Sequence, residues 1–97
     1  MANFLIKRED GHFLQLKPEV LANLPTTDLV REDGWGLLRL RHAASGDVVV
    51  IDDEMPGLRV WFEGNHLDRA AEGAIVAGLA ERLAVASGHA VVTIPLG

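Results

Sequence analysis

Apolar residues between positions 65 and 88 recur at intervals of three and four, which is the pattern of an amphipathic helix. Asn65 is a favoured N-cap, and Asp68 occupies the position of its capping-box partner. Gly88 is suited to end the helix, because glycine adopts a left-handed conformation without steric cost. The sequence therefore predicts a helix from Asn65 to Gly88 with one buried side. The residues of that side are Leu67, Ala71, Ile75, Leu79, Leu83 and Ala86.

The same stretch has a second stripe, which consists of small side chains. Its members are Gly73, Ala77, Ala80 and Ala84. Small side chains let another backbone approach closely, so we expect a sheet or a second helix to pack there. A structural homodimer that uses this stripe, or the last predicted strand, is one of the functional alternatives.

The rest of the second half has the patterns of four strands, at residues 37–41, 48–51, 58–63 and 89–95. Residues 48–51 contain only β-branched apolar side chains, so we expect this strand to be covered on both faces. Residues 35–97 then follow the order β-β-β-α-β. This order predicts an α+β core in which one long helix packs on an antiparallel or mixed sheet.

Residues 1–34 predict an N-terminal hairpin followed by a short helix. The hairpin would join residues 4–7 to residues 13–16, because Asp10-Gly11 is a strong hairpin signal. Pro18 suits the first position of a helix, and Pro25 would end it. With 97 residues, the chain has the length of a single domain.

Composition narrows the class of protein. The chain is 48% hydrophobic and 24% charged, which is typical of a globular protein. It has no cysteine, so a disulfide framework is excluded and a reducing cytoplasm is compatible. The net charge of −5 disfavours a nucleic-acid surface, and no apolar run is long enough to span a membrane. We expect a cytoplasmic bacterial protein that binds neither nucleic acid nor membrane.

Few residues could carry chemistry. The four histidines are scattered at His12, His42, His66 and His89, with no pair at helical spacing. The acidic run Asp52-Asp53-Glu54 could hold a divalent cation together with His66, which defines a small metal-assisted hydrolase as the enzymatic alternative. Solvated strand ends and helix caps are simpler roles for these side chains. We therefore predict a non-enzymatic protein with no metal and no cofactor.

The most distinctive feature is the sheet face that points away from the predicted helix. If Leu38, Leu40, Val60 and Phe62 face the helix, alternation places a different set on the other face. That set is Arg39, Arg41, Arg59 and Trp61. Tryptophan and arginine are enriched in protein interfaces, so we predict a protein-binding surface for a partner protein or for self-association. The alternative is that residues 1–34 cover Trp61.

Two short motifs resemble a known family. Asp53-Glu54-Met55-Pro56-Gly57 precedes a strand, and Gly64-Asn65-His66-Leu67-Asp68-Arg69-Ala70 leads into the helix. Over residues 37–87 this arrangement resembles the core of the HicB-like antitoxins, although His66 stands where threonine is usual and Arg69 replaces an acidic residue. The resemblance implies an antitoxin-like or immunity-like inhibitor that neutralises a basic toxin partner. No DNA-binding tail follows Gly97, so it does not imply transcriptional autoregulation.

Overall fold

A computed structural model describes residues 3–15 and 17–96 of the protein. The strands are β1 (Asn3–Arg8), β2 (Leu29–Glu32), β3 (Leu38–His42), β4 (Val48–Glu54), β5 (Gly57–Glu63) and β6 (Val91–Pro95), and the helices are α1 (Pro18–Leu21) and α2 (Arg69–Ser87). The strands form one sheet in the order β2-β3-β4-β5-β1-β6, and every neighbouring pair is antiparallel. The structure is therefore α+β with one long helix, as the sequence predicts.

One face of the sheet, the inner face, packs against α2 and the segment that contains α1. Successive residues of a strand point to opposite faces, and the inner positions of the central strands are apolar. Their partners above the sheet are Leu14, Val20, Leu24, Val76, Leu79 and Leu83, all of which are buried. Arg82 of α2 donates from Nε to the carbonyl of Leu24 at 3.2 Å, which fixes the two helical segments side by side. Neither described helix is long and apolar enough to cross a membrane.

The predicted helix is present, but it begins three residues later than expected. Asp68, rather than Asn65, is the N-cap, and its side chain accepts from the Ala71 N–H at 2.7 Å. Gly88 ends α2 in a left-handed conformation, as predicted. Of the predicted apolar side, Leu79 and Leu83 are fully buried, whereas the other members are only half-buried. Val76 and Glu72 complete the buried side.

The predicted N-terminal hairpin was wrong. Residues 13–15 form no strand, and Leu16 lies outside the described residues. β1 instead lies between β5 and β6, where Phe4 and Ile6 are buried on the inner face. The Asp-Gly segment still turns locally, since Gly11 N–H donates to the Arg8 carbonyl at 3.2 Å. A long-range pairing that buries two apolar side chains thus replaces the local hairpin.

Other elements also differ from the prediction. α1 is a single turn that ends at Leu21 instead of Leu24. β2 was not predicted, because its four residues include Arg31 and Glu32 and lack an apolar pattern. β4 continues through the acidic run to Glu54, since each of these residues pairs with β5.

We expect Leu79→Ala to lower the free energy of unfolding by about 2 to 5 kcal/mol, because Leu79 is 0% exposed and truncation leaves a cavity between α2 and the sheet. Val85→Ala is the matched control in the same helix. Its side chain is 85% exposed, so its effect should stay within about 0.5 kcal/mol. Urea denaturation measures both variants. Equal midpoints for Leu79→Ala and the parent would contradict the assigned core.

Candidate protein-binding surface

The outer face of the sheet, opposite α2, contains all four residues of the predicted surface. Arg39 and Trp61 flank Val50 of β4 in register. Arg41 lies two positions after Arg39 on β3, and Arg59 lies two positions before Trp61 on β5. Val50 is 0% exposed although it points away from the helix layer. The outer face therefore has its own local cover, at the centre of the sheet.

Residues 34–36, between β2 and β3, contribute to that cover, because a Cβ atom added at Gly36 would lie 3.3 Å from Val50 Cγ1. This segment contains Trp35, which the sequence pattern did not place in the site. Trp35 belongs to the segment between β2 and β3, and its ring lies 5.5 Å from the Trp61 ring, centroid to centroid, with the planes tilted by 35°. Gly34 has a φ of 154° and lies against the Arg39 side chain, where a Cβ atom would collide with Arg39 Cδ. A glycine is required there for the segment to lie flat on the sheet.

Two arginines extend the pair of rings into a row of four side chains. The guanidinium carbon of Arg39 lies 5.6 Å from the Trp35 ring centroid, and that of Arg59 lies 5.4 Å from the Trp61 ring centroid. Such cation–π contacts contribute about 0.5 to 1 kcal/mol each at exposed sites. We call this set, Arg39–Trp35–Trp61–Arg59, the tryptophan–arginine row. Its members hold one another in place, so the surface is pre-organised.

Carboxylates on the same face hold the arginines. Arg39 donates to Glu63 Oε1 at 2.5 Å, and this hydrogen bond raises the pKa of the guanidinium and keeps the buried side chain charged. Arg41 lies 3.6 Å from Glu32, and Arg59 lies 3.8 Å from its own acidic partner, Glu54. The arginines are thus already neutralised within the face. A partner that recognises positive charge alone, such as a nucleic acid, gains little from them.

The described part of this segment, residues 3–15 and 17–34, forms no layer over Trp61 of the kind that the alternative hypothesis required. The segment with α1 packs on the inner face, and β1 is a strand of the sheet itself. Among the described residues, Gly34 and Asn3 reach the outer face, against Arg39 and Arg59 respectively, and Trp35, just beyond that range, remains 59% exposed. Val30 and Ile94 are exposed nearer the two edges of the same face. Of these three side chains, Trp35 is the one that adjoins the predicted surface.

A second polar cluster joins the β3–β4 turn to the start of α2. The buried carboxylate of Asp47 accepts from the His66 N–H at 3.0 Å, the Leu67 N–H at 2.9 Å and His66 Nδ1 at 2.7 Å. Gly64 permits this approach, because a Cβ atom there would collide with the carboxylate. These bonds tie residues 66 and 67 to the β3–β4 turn, immediately before Asp68 caps α2.

The Asp47 carboxylate remains ionised inside the protein. Burial alone would raise its pKa, but the hydrogen bonds from the His66 ring and from the two backbone N–H groups outweigh burial and hold the pKa below its ordinary value. The nearby Ser45 hydroxyl lies 2.8 Å from Nδ1 of a different histidine, His42. The Asp47–His66 pair therefore acts as a structural clamp between two loops.

The residues of the hydrolase alternative do not lie together. Asp52, Asp53 and Glu54 occupy the half of β4 nearest its turn to β5, whereas His66 follows the other end of β5. The ends of a seven-residue strand are about 20 Å apart. Within residues 3–15 and 17–96, no three histidine or acidic side chains are grouped so that they could hold a metal ion. The proposed ligand set is therefore wrong as a single site.

Comparisons with known proteins do not assign the chain to a family. No family model matches the chain, and neither a curated protein nor a solved structure matches it. Function must therefore be inferred from the geometry of the surface itself.

We expect the Asp47 clamp to make stability depend on pH in the acidic range. Because the folded-state pKa lies below the unfolded value of about 3.9, the stabilisation is complete above that pH and is lost as the pH falls through the folded-state pKa. Asp47→Asn should cost about 1 to 3 kcal/mol at neutral pH and should lose less stability than the parent on acidification.

Urea midpoints measured from about pH 6 to about pH 2 test this expectation. Asp53→Asn is the matched control, because Asp53 is exposed and its side chain makes no hydrogen bond among the described residues. Parallel pH curves for the parent and Asp47→Asn would show that the clamp does not stabilise the fold.

Proposed function

We propose that this protein is a non-enzymatic protein-binding module whose contact surface is centred on the tryptophan–arginine row. The observation that supports the proposal is Trp35, an aromatic side chain that is 59% exposed and yet fixed between Arg39 and Trp61. An exposed tryptophan presents apolar surface to water unless a partner covers it. A tryptophan that is already held in place can anchor a partner without first being ordered.

The energetics of interfaces favour this arrangement. Tryptophan and arginine are over-represented among the few residues that carry most of the binding energy in protein complexes. Association also costs the entropy of ordering flexible side chains, and a side chain that is already held avoids part of that cost. Trp35 and Trp61 stack on one another, and Arg39 is tied to Glu63, so little ordering is left for the partner to drive.

Charge indicates the kind of partner. The charged side chains of the outer face are present in equal numbers of both signs, Lys7, Arg39, Arg41 and Arg59 against Glu32, Asp52, Glu54 and Glu63. The net charge of −5 therefore arises elsewhere on the molecule. A protein with an apolar or aromatic anchor and a mixed polar rim complements such a face. The general acidity of the chain would steer a basic partner toward it from a distance.

The more specific form of the proposal is an antitoxin-like or immunity-like inhibitor of a toxin. Two things support it: the resemblance of residues 37–87 to HicB-like antitoxins, and the order of β3, β4, β5 and α2 in the same range. An inhibitor acts by occupying a surface, which a pre-organised face can do without catalytic groups. A toxin gene adjacent to this gene would identify the candidate partner directly.

We expect Trp35→Ala to weaken partner binding at least about thirtyfold, the effect of losing a hot-spot anchor. The partner would be captured from lysate with the tagged parent protein, identified by mass spectrometry, purified and titrated by calorimetry. Stability should fall by only about 1 kcal/mol, because Trp35 is largely exposed. A loss of binding by Trp35→Ala would then result from the lost contact and not from unfolding of the variant.

Val85→Ala is the matched control for this experiment. Val85 is the most exposed large apolar side chain among the described residues, and it lies on α2, on the inner side of the sheet. It should bind the purified partner like the parent. If Trp35→Ala binds the purified partner as tightly as Val85→Ala does, the tryptophan–arginine row is not part of the interface.

A further inference from the structure

β6 is an edge strand whose protection is limited to its five-residue length and to Pro95. Edge strands in natural proteins are short, charged or covered, because their unpaired backbone groups can pair with another strand. The opposite edge strand, β2, has four residues and includes Arg31 and Glu32. β6, in contrast, contains four consecutive β-branched residues followed by Pro95, and it has no charged side chain. β6 therefore brings no charged side chain of its own against a second copy.

The hydrogen bonds to β1 show which backbone groups of β6 are left unpaired. Ala90 accepts from the Glu9 N–H at 2.9 Å, and Leu96 donates to the Asn3 carbonyl at 2.7 Å. In an antiparallel pair such bonds occur at every second residue, so the even-numbered residues of β6 face β1. The backbone groups of Val91, Thr93 and Pro95 therefore face the open edge.

The outward-facing N–H and carbonyl groups of β6 can pair with the same groups of a second β6 strand. When two antiparallel copies of β6 are centred on Thr93, all five residues overlap, and the two Thr93 residues exchange two N–H to carbonyl bonds. Val91 N–H of each copy then meets the Pro95 carbonyl of the other copy. Proline lacks an N–H, but its position opposite Val91 leaves only one carbonyl per copy without a partner. The edge thus supports four intermolecular hydrogen bonds.

The helix layer also leaves room for a second copy. Residues 14, 15 and 17–28 cross the inner face from Pro56 toward β2, since Leu14 donates to the Pro56 carbonyl and Ala43 donates to the Asp28 carbonyl. α1 therefore lies on the β2 side of α2, and α2 packs against β6. At 100° per residue, the stripe Gly73, Ala77, Ala80 and Ala84 lies opposite Arg82, which contacts the α1 segment. This side of α2 faces the β6 edge.

The stripe is small and accessible. Ala77 is exposed, and a Cβ atom added at Gly73 would meet no atom within 4 Å. Two copies joined at β6 would bring their α2 helices together on the same side of the extended sheet. Small side chains let helices approach closely, so packing of the two α2 helices would not obstruct the pairing of the two β6 strands.

We propose that the chain forms a two-fold homodimer in which β6 pairs with β6 of a second copy, centred on Thr93, and the α2 helices pack through their small-residue stripes. The two sheets become one continuous sheet. The dimer uses a different surface from the tryptophan–arginine row, so it goes beyond the proposed function and can fail independently of it.

Disulfide trapping gives the sharpest test, because the native chain has no cysteine. The proposed register places the two Thr93 Cα atoms about 5.5 Å apart, which is within disulfide range. Thr93→Cys should therefore form a covalent dimer rapidly under mild oxidation. Val30→Cys, on the other edge strand, should remain monomeric on non-reducing gels. Equal cross-linking of the two variants, or none in either, would overturn the proposed interface.

Sedimentation measures the dimer without cross-linking. The parent should be dimeric at micromolar concentration, and Thr93→Pro should raise the dimer dissociation constant at least about tenfold, because it removes a donor that faces only the open edge. Ile94→Lys should dissociate the dimer as well, whereas Val30→Lys is the matched control and should not. Trp35→Ala should also remain dimeric. A monomeric parent at about 100 μM, or a dimer that tolerates Thr93→Pro and Ile94→Lys, would contradict the proposal.

Discussion

Burial of β4 on both faces is the constraint on which the rest of the structure depends. Val49 and Ile51 pack under the helices, whereas Val50 points the other way and is nevertheless fully buried. A chain of this length has one helical layer, so the outer side of β4 must be covered by side chains and a single loop. Trp61 and the Trp35 segment provide that cover. The outer face thus has no helical layer among the described residues, and Trp35 remains exposed on it.

The inner and outer layers are connected at the end of β5. Glu63 holds Arg39 in the tryptophan–arginine row, and the next residue, Gly64, lies against Asp47. Asp47 in turn bonds the loop that leads into α2. A few consecutive residues thus fix both the position of the long helix and the orientation of the outer arginine. The same junction therefore holds both the tryptophan–arginine row and the start of α2 in place.

Strong local patterns were predicted correctly from the sequence, and long-range choices were not. β3, β4, β5 and α2 carry clear periodicity, and alternation alone placed Arg39 and Trp61 on one face. The partners of β1 depend on residues more than fifty positions away, which a local Asp-Gly signal cannot indicate. The loop before the helix is tied to Asp47, which lies 19 and 20 positions away from His66 and Leu67, and the capping pattern at Asn65 could not indicate that contact. Trp35 was missed because its two flanking glycines suggested only a loop.

If both proposals hold, the geometry of the sheet sets the relation between the two surfaces. From β5 across β1 and β6 to the β5 of a second copy there are five strand intervals, or about 24 Å. Pairing at β6 keeps the outer faces on the same side, so the two tryptophan–arginine rows would point in one direction at that separation. A partner that is itself two-fold symmetric could then engage both rows, and the second contact would form at the high effective concentration set by the first. A monomeric partner would bind each row separately, with one partner per chain and no gain from dimerisation.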